Sequence, residues 1–394
     1  MKDFRNSLTG TDQTIARRYN RAQVLNRLRV QGSVSRATLA KQTGLTRSTI
    51  SRIVDELIDE NLIYEGESIS VGRGRPGILL SLNAQGGAAI GLEIGVNFIS
   101  ILLTDFLSNP IWRKRITLGE GLEYEDYVNE AEKLIQIAIE KIRKQNLSLK
   151  GIGIAVWGLV SNQDNLIHFA PNLKWRDVSL GNKWQDKYQV QVITENDANA
   201  SALGEYYFGA GKELDNFIYL SMDIGVGSGI ISKGHLFRGA GGYAGEIGHV
   251  TIDPDGALCS CGRKGCLETK VGRSVIVQNY RELSKIDEVN LEKIIQRGEA
   301  GDKFAKKIFE EAGEYLGLGI GHYVNLINPQ GIILGWSLGQ AYDMLLPGIE
   351  KSLKKFCLSD LREDLLIIPS SNGADAALLG SIALVLDEII RETI

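Results

Sequence analysis

The chain has 394 residues, of which 43% are apolar and 23% charged, and its formal net charge is -4 at pH 7. This length is enough for two or three domains, and the composition is that of an ordinary globular protein in water. Because the sequence has neither a long apolar run nor the apolar core of a signal peptide, we expect a cytoplasmic protein that does not contact membranes.

The charges are divided unevenly along the chain. Residues 1–80 carry 13 Lys and Arg against 8 Asp and Glu, whereas the remaining residues carry 31 against 40. A basic head on an acidic body predicts a polyanionic partner for the head alone.

A pattern typical of two helices joined by a tight turn begins at Ser35. Ser35 and Thr46 are suited to cap successive helices, and Gly44 to form the turn between them. The second helix has apolar residues at helical spacing, and its exposed first turns carry short hydrogen-bonding groups and guanidinium groups suited to bases and phosphates. These candidate DNA-binding residues are Arg47, Ser48, Thr49, Ser51 and Arg52. The pattern predicts a helix-turn-helix whose second helix enters the major groove.

A basic turn, GRGRPG, follows between two runs of strand character, which predicts a winged hairpin. Arg73 and Arg75 in this turn are expected to enter a minor groove or to hold phosphates, because glycines beside them let the backbone approach closely. The DNA-binding domain is expected at residues 1–80. In an alternative interpretation the head docks a protein partner, and its basic residues then should not affect DNA affinity.

The body of the chain alternates strands and helices and contains two similar stretches, which begin at Glu93 and Asp223. This pattern predicts an internally duplicated α/β body with two lobes and a ligand cleft between them. We expect one lobe at residues 81–200, completed by a C-terminal helix at about 376–394. The other lobe is expected at 201–375, with a metal site and a dimerisation surface.

Three of the four cysteines lie within eight residues, and in a cytoplasmic protein such clustering favours metal binding over disulfides. With a nearby histidine they offer one nitrogen and three sulfurs, a ligand set that suits tetrahedral zinc without an open position. These candidate metal ligands are His249, Cys259, Cys261 and Cys266. We expect one structural zinc per chain; the alternative is a loop of reduced cysteines. Cys357 stands alone and is expected to be a core residue.

The stretch GYAGEIGHVTIDPDGALCSCGRKGCLETKVG resembles the signature of the ROK family, which contains repressors and sugar kinases. PNLKW, ENDAN and GADAALLGSIAL also resemble motifs of this family, so the resemblance covers residues 80–394. It implies a two-lobed, actin-like and hexokinase-like α/β fold behind the winged helix-turn-helix. The whole chain resembles the sugar-responsive repressors of the family, those that respond to xylose in particular.

The resemblance implies a sugar pocket lined by side chains that accept from and donate to sugar hydroxyls. These residues are Asn172, Asn196, Asp197, Glu246, His249 and Glu268. His249 would contact metal through one ring nitrogen and sugar through the other, so that zinc fixes its tautomer. Taken singly, Asn196 and Asp197 also suit helix caps, and Glu246 a surface charge. Trp157 stands where the family commonly has proline near the sugar, and its indole is expected to reshape or border the pocket.

A kinase of this family would use Asp197 as the base that accepts the proton of the attacking sugar hydroxyl. The three loops that surround the nucleotide in such kinases are altered here, because glycine and hydroxyl positions carry other side chains. The altered positions include Val96, Asn97, Asp223, Ile224 and Trp336. An isoleucine cannot hydrogen-bond a phosphate, and an aspartate repels one. We therefore expect no catalytic residue and interpret Asp197 as a carboxylate that holds the sugar.

Together with the resemblance, these patterns predict a homodimer, or a dimer of dimers, that binds a palindromic operator in double-stranded DNA and represses genes of carbohydrate use. The resemblance favours xylose as the effector, with glucose or another aldose as its competitor. It also implies that sugar bound in the cleft relieves repression, which would follow from a change in the spacing of the two DNA-binding heads. The alternative from a different class is an ATP-dependent sugar kinase with an added DNA-binding head.

Overall fold

The computed structural model describes residues 11–69, 77–119, 121–223 and 225–391. By its internal contacts the chain divides into two compact units. The first comprises Met1–Ile154, Gly181–Ile193 and Ile382–Ile394, and the second comprises Ala155–Leu180 and Thr194–Ser381. The domain limits expected from the sequence stay a prediction.

Within the described ranges the chain forms helices and strands that are numbered here in chain order. The helices are α1 (Thr11–Gln31), α2 (Arg36–Thr43), α3 (Arg47–Asp59), α4 (Tyr124–Lys144), α5 (Leu180–Tyr188), α6 (Asp197–Phe208), α7 (Glu268–Val271), α8 (Arg273–Ser284), α9 (Leu291–Glu299), α10 (Lys303–Ile327), α11 (Trp336–Gly339), α12 (Tyr342–Phe356), α13 (Ser359–Arg362) and α14 (Ala376–Arg391). The strands are β1 (Ser33–Ser35), β2 (Ile63–Ile69), β3 (Gly77–Leu82), β4 (Ala88–Ile94), β5 (Phe98–Asp105), β6 (Pro110–Thr117), β7 (Leu149–Val156), β8 (Leu159–Ser161), β9 (Leu166–Ala170), β10 (Trp175–Val178), β11 (Gln191–Asn196), β12 (Phe217–Met222), β13 (Val226–Ser232), β14 (His235–Leu236), β15 (Gly331–Leu334) and β16 (Leu366–Pro369).

The N-terminal head consists of α1–α3 and a three-stranded sheet in the order β1-β3-β2. The Ser35 side chain accepts a hydrogen bond from the Thr38 amide at 3.2 Å and so caps α2. Thr46 caps α3 in the same way through the Thr49 amide, also at 3.2 Å. Gly44 ends α2 at φ 71°, in the left-handed region that favours glycine. The caps and the turn are therefore those predicted from the sequence.

Two five-stranded sheets form the body, in the orders β11-β7-β4-β5-β6 and β14-β13-β12-β15-β16. Each is built from an antiparallel hairpin whose first strand, β4 or β12, also takes the central place in the sheet. Both central strands are buried at every position, as expected of apolar strands covered on both faces. When one sheet is read from the opposite edge, the two sheets have the same arrangement of strands, as expected from the predicted internal duplication.

Helix α6 begins directly after β11 and is buried along most of its length. Gly204 of α6 lies so close to the Ala376 carbonyl oxygen that any Cβ there would collide with it. Gly380 of α14 is in the same position against the Ala200 carbonyl oxygen. These small residues let α6 pack in backbone contact with the start of α14, which fixes the direction in which the first residues of α6 project.

Candidate functional site

Asn196 lies at the junction of β11 and α6 and fixes its geometry. Its side-chain oxygen accepts from the amides of Ala198 at 2.9 Å and Asn199 at 3.1 Å, so it is the N-cap of α6. Its side-chain nitrogen donates to the Gly158 carbonyl at 2.9 Å and to Asp197 Oδ1 at 3.2 Å. The cap therefore also joins the turn after β7 to the carboxylate of Asp197.

Asp197 is the first residue of α6, and its side chain is half-buried. Its second carboxylate oxygen accepts from the Ser221 hydroxyl at 3.5 Å. Burial, together with the charge of Glu246 and against hydrogen bonds that lower it, raises the pKa of the Asp197 carboxyl to about 7. Near neutral pH this group can hold a proton or accept one.

Glu246, His249 and Glu268 form the rest of the polar surface next to Asp197. His249 Nε2 lies 3.9 Å from a Glu246 carboxylate oxygen. Although 43% of the Glu246 side chain is exposed, burial still raises the pKa of its carboxyl, with His249 opposing and Glu268 adding to the effect. Glu268 accepts from the Val226 amide at 3.1 Å, which anchors it to the hairpin of the second sheet.

The six residues that the resemblance placed in a sugar pocket all belong to the second unit. Asp197, Glu246, His249 and Glu268 act on one another through the contacts and charges just described. Asn172 lies exposed in a short 3-10 helix, Pro171–Leu173, between β9 and β10. The assignment of these residues to sugar binding stays a prediction.

Two further residues of this region, Glu195 and Arg238, are not among the predicted site residues. Glu195 is fully buried and accepts from Arg238 Nε at 2.7 Å and from Asn199 Nδ2 at 3.0 Å. Arg238 lies in the loop that leads to Glu246, so this ion pair ties that loop to the start of α6. Glu195 and Arg238 are 43 residues apart, and no local sequence pattern signals their contact.

The predicted metal ligands come together. The ligand atoms of His249, Cys259, Cys261 and Cys266 all lie within 4.8 Å of one another. The Cys261 and Cys266 sulfurs are 3.6 Å apart, and Cys259 Sγ lies 3.7 Å from His249 Nδ1. Tetrahedral zinc with bonds of about 2.3 Å to sulfur requires ligand separations of about 3.7 Å, so these residues fit such an ion.

The two ring nitrogens of His249 have different surroundings. Nδ1 faces the cysteine cluster, whereas Nε2 faces Glu246. Cys259 Sγ also approaches a Glu268 carboxylate oxygen at 3.9 Å. The cysteine loop is therefore joined directly to the polar residues around Asp197, as a supporting metal site would be. Cys357 is half-buried and packs against the core of the second unit.

In the loops that the resemblance compares with nucleotide-binding loops, described residues contact other parts of the same chain. Any Cβ at Gly95 would collide with the Phe98 ring. The Val96 carbonyl accepts a hydrogen bond from the Tyr127 hydroxyl. The Asp223 carboxylate pairs with Arg273 at 2.9 Å, so its charge is balanced inside the fold. Ile224 lies outside the described residues.

Trp336, in the third of these loops, is 8% exposed and begins the short helix α11. Its indole makes an edge-to-face contact with Trp157, with ring centroids 5.2 Å apart and an interplanar angle of 84°.

The predicted DNA-contacting residues of α3 lie on its accessible side. Arg47, Ser48 and Arg52 are exposed, whereas Thr49 and Ser51 are half-buried. The first turn of α3 carries no acidic residue, which leaves its helix N-terminus favourable for phosphate. Arg73 and Arg75 of the predicted wing tip lie outside the described residues.

The ROK family profile matches residues 89–388, and the MarR family profile matches residues 18–74. The chain belongs to the ROK family. The family resemblance and the fold class expected from the sequence, a winged helix-turn-helix head before a ROK body, are thereby confirmed. No helix in the described part of this ROK protein is long and apolar enough to span a membrane.

Similar ROK proteins include repressors and kinases. The xylose repressor of Bacillus subtilis (strain 168) is 34% identical over 385 residues, which cover 96% of this chain and 98% of the relative. A solved ROK family transcriptional regulator, a homolog of the E. coli MLC protein, is 27% identical with a TM-score of 0.87, covering 96% of this chain and 97% of that one. A ROK family glucokinase from Streptomyces griseus, in complex with glucose and AMPPNP, is 28% identical with a TM-score of 0.66. It covers 76% of this chain and 99% of that one, and so aligns with part of this chain only.

Proposed function

We propose that this ROK protein is a sugar-responsive transcriptional repressor of carbohydrate-use genes. The observation that carries the proposal is the combination, in one chain, of a helix-turn-helix head with a polar site of carboxylate, amide and imidazole side chains. The xylose repressor of Bacillus subtilis is 34% identical to this chain over 98% of its own length. Xylose is therefore the first effector to test, ahead of glucose and other aldoses.

The DNA partner is a double-stranded operator that the head binds through α3. Arg47 and Arg52 are exposed cations near the N-terminus of this helix and can reach bases or phosphates. Ser48, Thr49 and Ser51 add short hydrogen-bonding groups. Arg73 and Arg75, in the basic turn predicted from the sequence, would add contacts to a groove or to phosphates. A homodimer, or a dimer of dimers, places two such heads on a palindromic site.

The sugar binds at the polar site of the second unit. Carboxylates of Asp197, Glu246 and Glu268 accept from its hydroxyls, and the His249 ring nitrogen that faces away from the cysteines donates to one of them or accepts from it. Asn196 and Asn172 supply amide groups. Asp197 has no proton-transfer role in this function, because a repressor transfers no phosphoryl group and the loops compared with phosphate-binding loops have other side chains at Val96, Asn97 and Trp336.

Zinc is the ion that best suits the cysteine cluster. Its closed set of one nitrogen and three sulfurs gives the metal a structural role, one ion per chain. By holding His249 through Nδ1, the ion would keep Nε2 directed at Glu246 and the sugar.

The experiment is a mobility-shift assay with the chain's own upstream DNA, run with and without a panel of aldoses, beside an ATP-dependent phosphorylation assay on the same sugars. We expect specific DNA binding that one aldose weakens, and no phosphorylation.

A sugar kinase is the second candidate, favoured by the Asp197 pKa near 7, which suits a general base. Phosphorylation that Asp197→Asn abolishes would establish it in place of the repressor. DNA binding unaffected by Arg47→Ala would favour a protein-docking head.

A further inference from the structure

Trp157 and Trp336 form a pair with unusual features. Trp336 has φ 57°, a left-handed backbone conformation that bulky residues rarely adopt and that usually persists at functional sites. Its indole Nε1 is buried and, among the described residues, has no hydrogen-bond partner. A buried donor of this kind is costly unless a ligand or water supplies an acceptor.

Trp157 is connected to the polar site through the backbone of the next residue. The next residue, Gly158, passes so close to the Phe169 carbonyl oxygen, 2.7 Å from an added Cβ, that the turn after β7 has little freedom. The Gly158 carbonyl accepts the hydrogen bond from Asn196, the cap residue beside Asp197. The position of the Trp157 indole is thus tied to that of the Asp197 carboxylate.

Trp336 is connected to the Asp197 carboxylate through the pairing of β12 with β15. In the parallel pairing of β12 and β15, Leu334 is opposite Leu220, and the Gly335 amide donates to the Leu220 carbonyl at 2.9 Å. Continued by one residue, this register sets Gly335, the residue before Trp336, beside Ser221, whose hydroxyl donates to Asp197. The backbone segments that carry the two indoles are therefore both anchored beside Asp197, and the indoles contact each other.

We propose that the Trp157–Trp336 pair closes the sugar site at its Asp197 end and selects an aldopentose over an aldohexose. An aldohexose has one more carbon with its hydroxyl group, and the two indoles occupy the space that this group needs. The unpartnered Trp336 Nε1 donates to an oxygen of the bound pentose. The pair also separates Asp197 from any phosphoryl donor, since a donor must approach the hydroxyl held at that carboxylate.

This inference rests on the proposed sugar-sensing function, and its test measures size selectivity. Trp336→Gly suits the left-handed backbone of that position and removes the indole, and Trp157→Ala removes its partner. Trp112→Ala is the matched control, because Trp112 is a half-buried tryptophan of the first unit. Calorimetric titrations with D-xylose and D-glucose give the affinities of the full chain, and circular dichroism checks the folding of each variant.

We expect the wild-type chain and Trp112→Ala to bind D-xylose in preference to D-glucose. Trp336→Gly and Trp157→Ala should each gain about tenfold or more in D-glucose affinity, the effect of admitting one additional carbon. Folded variants without this gain would overturn the inference, as would a wild-type chain that binds both sugars equally. A wild-type chain that binds no aldose would instead contradict the proposed function itself.

A second measurement covers the case in which neither small-residue variant folds. D-xylose should change the tryptophan fluorescence of the wild-type chain and of Trp112→Phe, because the ligand contacts the Trp157–Trp336 pair. A clear part of this change should be lost in Trp157→Phe and in Trp336→Phe, each of which removes one of the two indoles and keeps an aromatic ring in place. The full change in both of these variants would overturn the inference.

Discussion

The carboxyl group of Asp197 lies between two donors, the Asn196 amide and the Ser221 hydroxyl, in surroundings that raise its pKa to about 7. A carboxyl group with this pKa is chemically able to act as a base or to hold a hydroxyl. In the proposed repressor function, this carboxylate holds a sugar hydroxyl.

The raised pKa of Asp197 predicts that sugar affinity depends on pH. A sugar that donates to the carboxylate binds the ionised form, whose fraction rises from about one tenth at pH 6 to about nine tenths at pH 8. We therefore expect the affinity to increase by about tenfold between these pH values, as measured by calorimetric titration. Asp197→Asn should bind the sugar more weakly, and its affinity should lack the pH dependence that ionisation of Asp197 causes. An affinity that falls as the pH rises would contradict this role.

The buried ion pair of Glu195 and Arg238 predicts a loss of stability when it is broken. Arg238→Ala leaves a fully buried carboxylate without its cation, so we expect the free energy of unfolding to fall by about 2 kcal/mol. Urea denaturation measures this change. The control is Lys133→Ala, which removes an exposed pair with Glu130 and should cost less than about 0.5 kcal/mol. Equal effects in the two variants would show that the buried pair has no special structural role.

Two elements carry most of the predicted metal and DNA-binding residues, the cysteine loop and helix α3. Their caps, turn and ligand spacing are local patterns, which is why Ser35, Gly44 and Thr46 were predictable from the sequence. The cysteine cluster was predictable for the same reason, because three of its four ligands lie close together in the chain.

The cysteine loop predicts zinc-dependent stability. The purified chain should contain about one zinc per chain, and Cys261→Ser or chelation should lower the temperature of unfolding, because metal binding contributes to folding free energy. Cys357→Ala, outside the cluster, should keep the zinc. Elemental analysis and thermal denaturation test both statements. Far less than one zinc, with unchanged stability in Cys261→Ser, would rule out the metal site.

Helix α3 predicts which substitutions weaken DNA binding. Arg47→Ala removes an exposed cation from its first turn, and we expect about a tenfold loss of operator affinity with a smaller dependence on salt. Lys351→Ala, which removes an exposed cation from the second unit, should leave the affinity unchanged. Fluorescence anisotropy with labelled operator DNA compares the two. An unchanged affinity in Arg47→Ala would argue against a major-groove role for α3.

The contacts that could not be predicted are those between residues distant in the sequence. Glu195 with Arg238, Asp223 with Arg273, and Trp157 with Trp336 each join separate segments. The sequence shows each of these side chains but not which one lies against which, because only the tertiary fold brings them together. The overall fold was predictable from the resemblance to the ROK family, whereas these contacts were found only in the structure.

At the scale of the whole molecule, the DNA-binding head and the polar site belong to different units. The head shares the first unit with β4–β6. The polar site belongs to the second unit. A sugar can change DNA binding only if it has different affinities for the conformations that bind and release the operator. By linkage, operator DNA must then lower sugar affinity by the same factor.

The central claim is that a sugar held at Asp197 controls the binding of the head to DNA. Operator affinity, measured by anisotropy with and without saturating D-xylose in the wild-type chain and in Asp197→Asn, tests it most directly. We predict that D-xylose weakens operator binding of the wild-type chain by about tenfold or more, a coupling of about 1.4 kcal/mol, and has little effect on Asp197→Asn. Operator binding that neither D-xylose nor any other aldose changes in the wild-type chain would contradict the account.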